Sequence, residues 1–387
     1  MTWGSRARNT IAMAGLVSSL TYFSTFSQPF TDTSGAVVAS NASPNPSLED
    51  LRRKASSGHL HEELELADDY YAGRGIGRDL SQAAHWYKKA ADQGDPGAQV
   101  EIGYFYLNGI GVRPDVEQAF RWFQRASAAG SPTGKLNLAV LYMRGVGVPK
   151  DAKLGFSLLN ELAKSNNAGG EAYLGLAYVL GTGVDKNMAL AEYWFGQAAS
   201  HHSPEGNYDM GTLYSVTPDH PRDLDRAVAY LRESSDGGNI RAKHSLGLLL
   251  VNHPELPRRP GEPVTLLEAA AVSGSWRSST VLGILYRDGK YVPKDISVSY
   301  RWFKIAEAQG GDEAQSMLRN DMAVARAALS ADEQKQAEVA ATQWMSVYPR
   351  TKAFVLNGGD GSAFVPAEEV YSTGLAGANS PKGAAVR

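Results

Sequence analysis

Large apolar side chains recur along this chain at a fixed pitch. Leu66, Ile102, Leu138, Leu174, Met210, Leu246 and Leu282 are each 36 residues apart. The next position is small every time: Ala67, Gly103, Ala139, Gly175, Gly211, Gly247 and Gly283. Three residues further on stand Tyr70, Tyr106, Tyr142, Tyr178, Tyr214, Leu250 and Tyr286. A second bulky pair keeps the same pitch: Trp86-Tyr87, Trp122-Phe123, Leu158-Leu159, Trp194-Phe195, Tyr230-Leu231, Leu266-Leu267 and Trp302-Phe303. Seven copies in register, without an insertion, are the signature of a repeat architecture.

The spacing inside a copy predicts two helices. Ala98, Ile102, Phe105 and Tyr106 share one helical face, and Ala119, Trp122, Phe123 and Ala126 share another. Asp115 stands before the second helix as an N-cap, with Gln118 three residues on, close to a capping box. Asp79, Asp151, Asp223 and Asp295 hold the same place in other copies. Gly94, Gly130, Gly238, Gly274 and Gly310 mark the end of the second helix. Glycine in mid-helix costs about 0.5–1 kcal/mol relative to alanine. Its use at Gly103 therefore implies close approach of a partner helix. One such pair cannot bury its own apolar faces, but stacked pairs share a continuous core. The expected fold is all-α, an α-solenoid of antiparallel helix pairs.

Between the helices lies a Gly-x-Gly turn, as in "LNGIGVRPD" (Leu107 to Asp115). Alone it could be a phosphate cradle. A cradle occurs once, after a strand, with its own lysine or acidic partner. Here Gly73-Arg74-Gly75, Gly109-Ile110-Gly111, Gly145-Val146-Gly147 and Gly181-Thr182-Gly183 recur between helices, and no Gly-Lys-Ser/Thr follows. These are turns that need positive φ.

The stretch "LGLAYVLGTGVDKNMALAEYWFGQAA" (Leu174 to Ala199) resembles the Sel-one-like repeat, a relative of the tetratricopeptide repeat. The resemblance covers seven repeats over residues 60–312 and implies a right-handed superhelix and adaptor work in assembling multiprotein or envelope complexes. Some secreted family members are cysteine-rich and linked to β-lactam binding or hydrolysis. This chain has no cysteine, and that link is not carried over. "TPDHPRD" (Thr217 to Asp223) and "HPELPRR" (His253 to Arg259) depart from the glycine turn, so a different turn geometry is expected there.

The flanks read as caps. Residues 47–58 resemble a lone second helix, an N-terminal capping half-repeat. Residues 313–350 carry C-terminal capping helices: Ala314, Met317 and Leu318 begin one, and Ser330 with Glu333 makes a capping box for another. Residues 351–387 turn Gly-, Ala- and Ser-rich and are expected to be disordered. At the other end, Arg6 and Arg8 precede an uncharged run from Asn9 to Thr31. Residues 1–42 therefore read as an export signal peptide or a membrane anchor plus linker, with an organelle presequence as the alternative. An exported protein, periplasmic or secreted, follows from a cleaved signal, and an inner-membrane tether from an uncleaved one.

Composition narrows the function classes. A formal net charge of −3 argues against a nucleic-acid partner. The absence of cysteine removes disulfides, thiolate metal sites and cysteine nucleophiles. The histidines, among them His220 and His253, lack ligand spacing, so no metal and no cofactor are expected. Carboxylates are scattered, the regular ones serve as N-caps, and no nucleophile elbow is present, so no catalytic residue is assigned.

The remaining signal is a second stripe on the first helices. Val100, Tyr104 and Leu107 form it in the second copy, Leu136, Val140 and Met143 in the third, and Leu64, Asp68 and Tyr71 in the first. On the concave face this stripe would suit a partner's helix or extended segment. Its bland alternative is contact between adjacent first helices. Asn108, Arg144 and Asn252 are its polar members. The candidate partner-binding residues are thus Tyr71, Tyr104, Asn108, Met143, Arg144 and Asn252. The expected function is a non-catalytic scaffold for a protein or peptide partner. The alternatives are a carbohydrate-binding or polysaccharide-export component and a hydrolase.

Overall fold

A computed structural model describes residues 46–217 and 220–348. The signal or anchor segment in 1–42 and the tail 351–387 lie outside the described residues. Those residues form sixteen α-helices and no strand. They fall into two compact units, one ending at Asn187 and the other beginning at Met188. The first unit holds α1 (Pro46–Ser56), α2 (Leu60–Ala72), α3 (Leu80–Asp92), α4 (Pro96–Asn108), α5 (Val116–Ala128), α6 (Pro132–Arg144), α7 (Ala152–Lys164) and α8 (Ala168–Leu180). The second holds α9 (Met188–Ser200), α10 (Pro204–Ser215), α11 (Leu224–Asp236), α12 (Ile240–Asn252), α13 (Glu262–Val272), α14 (Trp276–Asp288), α15 (Ile296–Ala327) and α16 (Ala331–Val347). Short turns make consecutive helices antiparallel neighbours. The fold is all-α, an α-solenoid of helix pairs.

The pitch in the sequence is the register of the core. Leu66, Ile102 and Leu246 are wholly buried, as are Phe123 and Phe303 of the second-helix pairs. The glycine after the first-helix anchor faces the second member of that pair, an aromatic ring at Gly103 and Gly283 and a leucine at Gly211 and Gly247. A Cβ on Gly103 would lie 2.8 Å from Cε1 of Phe123, and one on Gly283 would lie 2.4 Å from Cε1 of Phe303. Glycine there lets the two helices of a pair close on a ring.

Side-chain caps open both helices in most pairs, α2 and α13 being exceptions. Asp79, Asp115, Asp151, Asp223 and Asp295 each accept from the backbone N–H groups that open the second helix. A second capping column, Asp95, Ser131, Asn167, Ser203, Asn239 and Ser275, opens the first helices at the same pitch. Asp, Ser and Asn share no sequence identity here, only an acceptor at the right distance. Three residues after each stands Ala98, Gly134, Gly170, Gly206, Ala242 or Ser278, packed on the previous helix. A Cβ on Gly134 would come 2.6 Å from that of Ala126.

The Gly-x-Gly turn has two functions. Gly109, at φ 65, is the left-handed C-cap of α4, and its N–H donates to the Phe105 carbonyl. Gly111, at φ 66, lies against the first turn of α3, where a Cβ would sit 2.0 Å from the Leu80 carbonyl oxygen. Gly147 meets Val116, and Gly183 meets Ala152, in the same way. The turn is closed by the preceding repeat and has no room for a phosphate.

Two turns lack these glycines, and side chains satisfy the helix ends instead. After α10, Arg222 Nε donates to the Ser215 carbonyl at 2.9 Å, and Thr217 Oγ1 to that of Thr212 at 3.2 Å. After α12, Lys290 Nζ and Tyr291 OH from the next turn donate to the Val251 and Leu250 carbonyls, at 3.0 and 3.1 Å. One stop differs from expectation. The second helix of the last repeat breaks at Gly311 (φ 58, ψ −139), one residue beyond Gly310. Gly310 is held helical by packing, since a Cβ there would lie 2.6 Å from Cγ of Trp276.

The chain beyond Gly311 seals the last repeat. Ala314, Leu318 and Ala337 join the cluster around Trp276 and Phe303. Ser330 and Glu333 form a capping box at α16, whose Trp344 meets Trp302 edge to face at 5.4 Å.

Candidate functional site

The second stripe of the first helices is largely consumed by packing. Leu107, Val140, Leu176, Val179, Leu248 and Val251 are buried. What it leaves toward solvent is a set of half-buried polar and aromatic groups. Their placement differs from residue to residue.

Met143 packs across its own pair, its Cγ 2.3 Å from where a Cβ on Gly155 would stand. Asn108 uses its amide locally, donating from Nδ2 to the Tyr104 carbonyl at 2.9 Å. Arg144 is half-buried near Tyr173, and desolvation holds its guanidinium below the ordinary value while Tyr173 opposes that shift. Asn252 is exposed at the end of α12. Met143, Asn108 and Arg144 each have their own local setting, and Asn252 belongs to the other unit. Tyr71 and Tyr104 come together: they lie within electrostatic reach of each other on the successive first helices α2 and α4. The Tyr71 ring packs 5.8 Å from that of Phe105, and the Arg78 guanidinium lies 5.7 Å over the Tyr71 ring.

Two carboxylates complete this place, and the stripe reading did not include Glu101. Asp68 and Tyr71 share a face of α2 at i, i+3, as Glu101 and Tyr104 do on α4. Tyr87 of α3 donates its hydroxyl to Asp68 and packs edge to face on Phe105 at 5.3 Å. Arg74 reaches Asp68 at 3.9 Å. Glu101 is half-buried, and no described residue hydrogen-bonds or ion-pairs with its carboxyl. Burial, and then the charge of Asp68, push the Glu101 carboxyl up to about 7. Burial also raises the hydroxyls of Tyr71, Tyr87 and Tyr104, with Glu101 adding to each. The place is an acidic pair walled by three tyrosine rings.

A second polar cluster lies in the other unit, where the glycine turn is missing. Tyr214 donates to Glu192, His220 Nε2 stands 3.3 Å from the same carboxylate, and Arg226 lies 4.1 Å over the Tyr214 ring. The Tyr214 hydrogen bond is the main cause that holds Glu192 below the usual carboxylate range. Every member has a partner, so this cluster reads as a structural latch for the turn. His253 pairs separately with Glu255 at 2.9 Å. Among the described residues no group of three or more His, Asp or Glu side chains could hold a metal ion. No helix among them is long and apolar enough to cross a membrane. Trp86, Trp122 and Trp302 are buried in their helix pairs, while Trp194 is half-buried.

Comparison with known proteins agrees with this architecture. The family model described as Sel1 repeat matches residues 63–95, 96–131, 133–167, 169–203, 204–239 and 279–311. A Sel1 repeat protein from Oxalobacter formigenes is similar in structure, with a TM-score of 0.53 and 27% identity over 65% of this chain and 99% of that one. A putative Sel1 repeat protein from Klebsiella pneumoniae is 23% identical over 52% of this chain and 97% of its own, with a TM-score of 0.37. The protective antigen c5321 of uropathogenic Escherichia coli, which displays an SLR fold, is 20% identical over 88% of this chain and 91% of its own, with a TM-score of 0.31. No curated protein matches this chain.

Proposed function

The chain belongs to the Sel1 repeat family, and from that premise we propose that it is a non-catalytic scaffold holding a protein or peptide partner along its first helices. Sel1 repeat proteins are generally protein-interaction scaffolds. The observation that carries the reading to these residues is how little else the fold leaves over. Gly111, Gly147 and Gly183 of the turns, the aspartate caps and the tryptophans Trp86, Trp122 and Trp302 hold helices and repeats together. The half-buried tyrosines and polar groups of the first helices in the first unit keep part of their surface toward solvent. Affinity would come from several shallow contacts spread over successive repeats.

Photo-crosslinking residues placed at Tyr104, Asn108 and Arg144 in cells test this. Lys88 and Arg121, on second helices, serve as controls. Defined crosslinked partners from the first-helix sites alone are expected. Equal capture from both sets would sink the proposal.

The cellular address is a proposal of its own. Arg6 and Arg8 followed by the uncharged run to Thr31 support export to the cell envelope, with a tether as the alternative. The intact mass of protein purified from its native cells decides it. A mass starting at Met1 or Thr2 would overturn a cleaved signal.

A further inference from the structure

Glu101 has a counterpart that shows what it lacks. The register of Glu101 on α4 is filled by Asp209 on α10, three repeats later. Asp209 is buried, and burial raises its carboxyl to about 8, but Arg241 acts against that rise. Arg241 sits in the first turn of the next first helix, α12, its guanidinium 4.6 Å over the Tyr208 ring. A carboxylate, a tyrosine ring and an internal cation thus form a closed set. The position equivalent to Arg241 in the repeat after Glu101 is Thr133, in the first turn of α6. The register of Tyr208 holds Val100 there, so the rings beside Glu101 come from Tyr71 and Tyr104 instead, and the register of the cation holds an uncharged threonine.

Removing a carboxylate from water without a counter-charge is costly, and a cation brought to it recovers that cost. Tyrosine faces attract cations as well. We propose that Glu101, with Asp68 and the rings of Tyr71 and Tyr104, is the seat for a lysine or arginine side chain presented by a protein partner. This rests on the scaffold reading and names the group the scaffold recognises. The cation does for Glu101 what Arg241 does for Asp209, supplied from outside the chain. Asp68 and Tyr71 face Glu101 from α2, Tyr87 from α3 and Tyr104 from its own helix, and none of them is positive. Arg74 reaches Asp68 and Arg78 lies over the Tyr71 ring, and neither is among the charges that act on Glu101. Because the carboxyl is pushed up to about 7, capture should strengthen as pH rises through neutrality.

The test is selection of displayed random peptides on the full-length protein at pH 8, with affinities of the recovered peptides then measured in solution. They should share a lysine or arginine. Replacing that residue by norleucine or glutamine should weaken binding about tenfold or more, and so should Glu101→Gln, which keeps the shape. The two losses should not add, as expected for groups in direct contact. Thr133→Arg, which supplies the missing cation, should also abolish capture, while Thr133→Gln leaves it. Peptides that bind equally well to Glu101→Gln would overturn the cation seat and leave the scaffold reading standing. Failure to recover any peptide would overturn both.

Discussion

Glu101 shows how one side chain can carry a site at a cost to the fold. Its carboxyl is raised in the folded protein, so the folded state holds the proton more tightly than the unfolded chain does. Its destabilising effect is therefore absent below the ordinary carboxylate value of 4.5 and complete above about 7. Glu101→Gln should raise the unfolding midpoint at pH 8 and leave it nearly unchanged at pH 4.5. The gain at pH 8 should be roughly 2 kcal/mol, discounted from the full shift because the carboxyl is partly exposed. Thermal unfolding of both proteins across that range checks it; equal midpoints at every pH would show Glu101 to be already compensated. The turn glycines make a sharper contrast. Gly75 and Gly111 share a positive φ, yet a Cβ on Gly75 meets nothing within 4 Å, while one on Gly111 meets the Leu80 carbonyl. Gly75→Ala should cost about 1–2 kcal/mol, the ordinary penalty for a left-handed alanine. Gly111→Ala should cost well beyond that, because two repeats must separate. Equal losses in urea unfolding would refute the contact.

At the scale of the helix, the ends are where the repeats differ. Six first helices take an N-cap of three chemical kinds without changing register. The altered turns show the same tolerance at the C-terminal end, where side-chain donors take over the role of a glycine. Tyr291 is the instructive case. It occupies the register of Gly111 and keeps its left-handed conformation, at φ 66. α13 starts at Glu262, two residues later in register than α3, so Pro260, the counterpart of the Leu80 that confines Gly111, lies outside the helix. The strain, about 1–3 kcal/mol for such a residue, is offset in part by its hydroxyl on the Leu250 carbonyl. Tyr291→Phe should keep the strain and lose the bond. The expected destabilisation is about 1 kcal/mol, read from the unfolding midpoint.

On the scale of the whole chain, stability is a sum over neighbouring pairs, so the ends are the weak points. Of the described side chains of α1, only Ala55 is buried, whereas α6 buries six residues. In the other unit α16 buries Ala337 and Ala341, and α14 buries ten residues. Hydrogen exchange should therefore release the amides of α1 well before those of α6, and of α16 before α14. Uniform protection would mean that each unit opens only as a whole. A partner bound across α2, α4 and α6 should slow exchange in those helices together, whichever side chain it uses.

Helix pairs, their pitch, the aspartate caps and the glycine turns were legible in the sequence because each depends on residues close along the chain. Backbone sterics and helical periodicity then leave one solution, and repetition in register makes it visible. The cation seat was only half legible. Tyr71 and Tyr104 stood out by spacing, but the register of Glu101 holds Asn137, Tyr173 and Asp209 in the next three repeats, so no repeated residue type marks it. Likewise, nothing local separates Gly310 from Gly311; the ring of Trp276 does. Which acid is answered by an arginine and which is left open depends on which side chains from successive helices meet. Only the tertiary structure decides that, because burial and charge act through space between residues the chain holds about thirty positions apart.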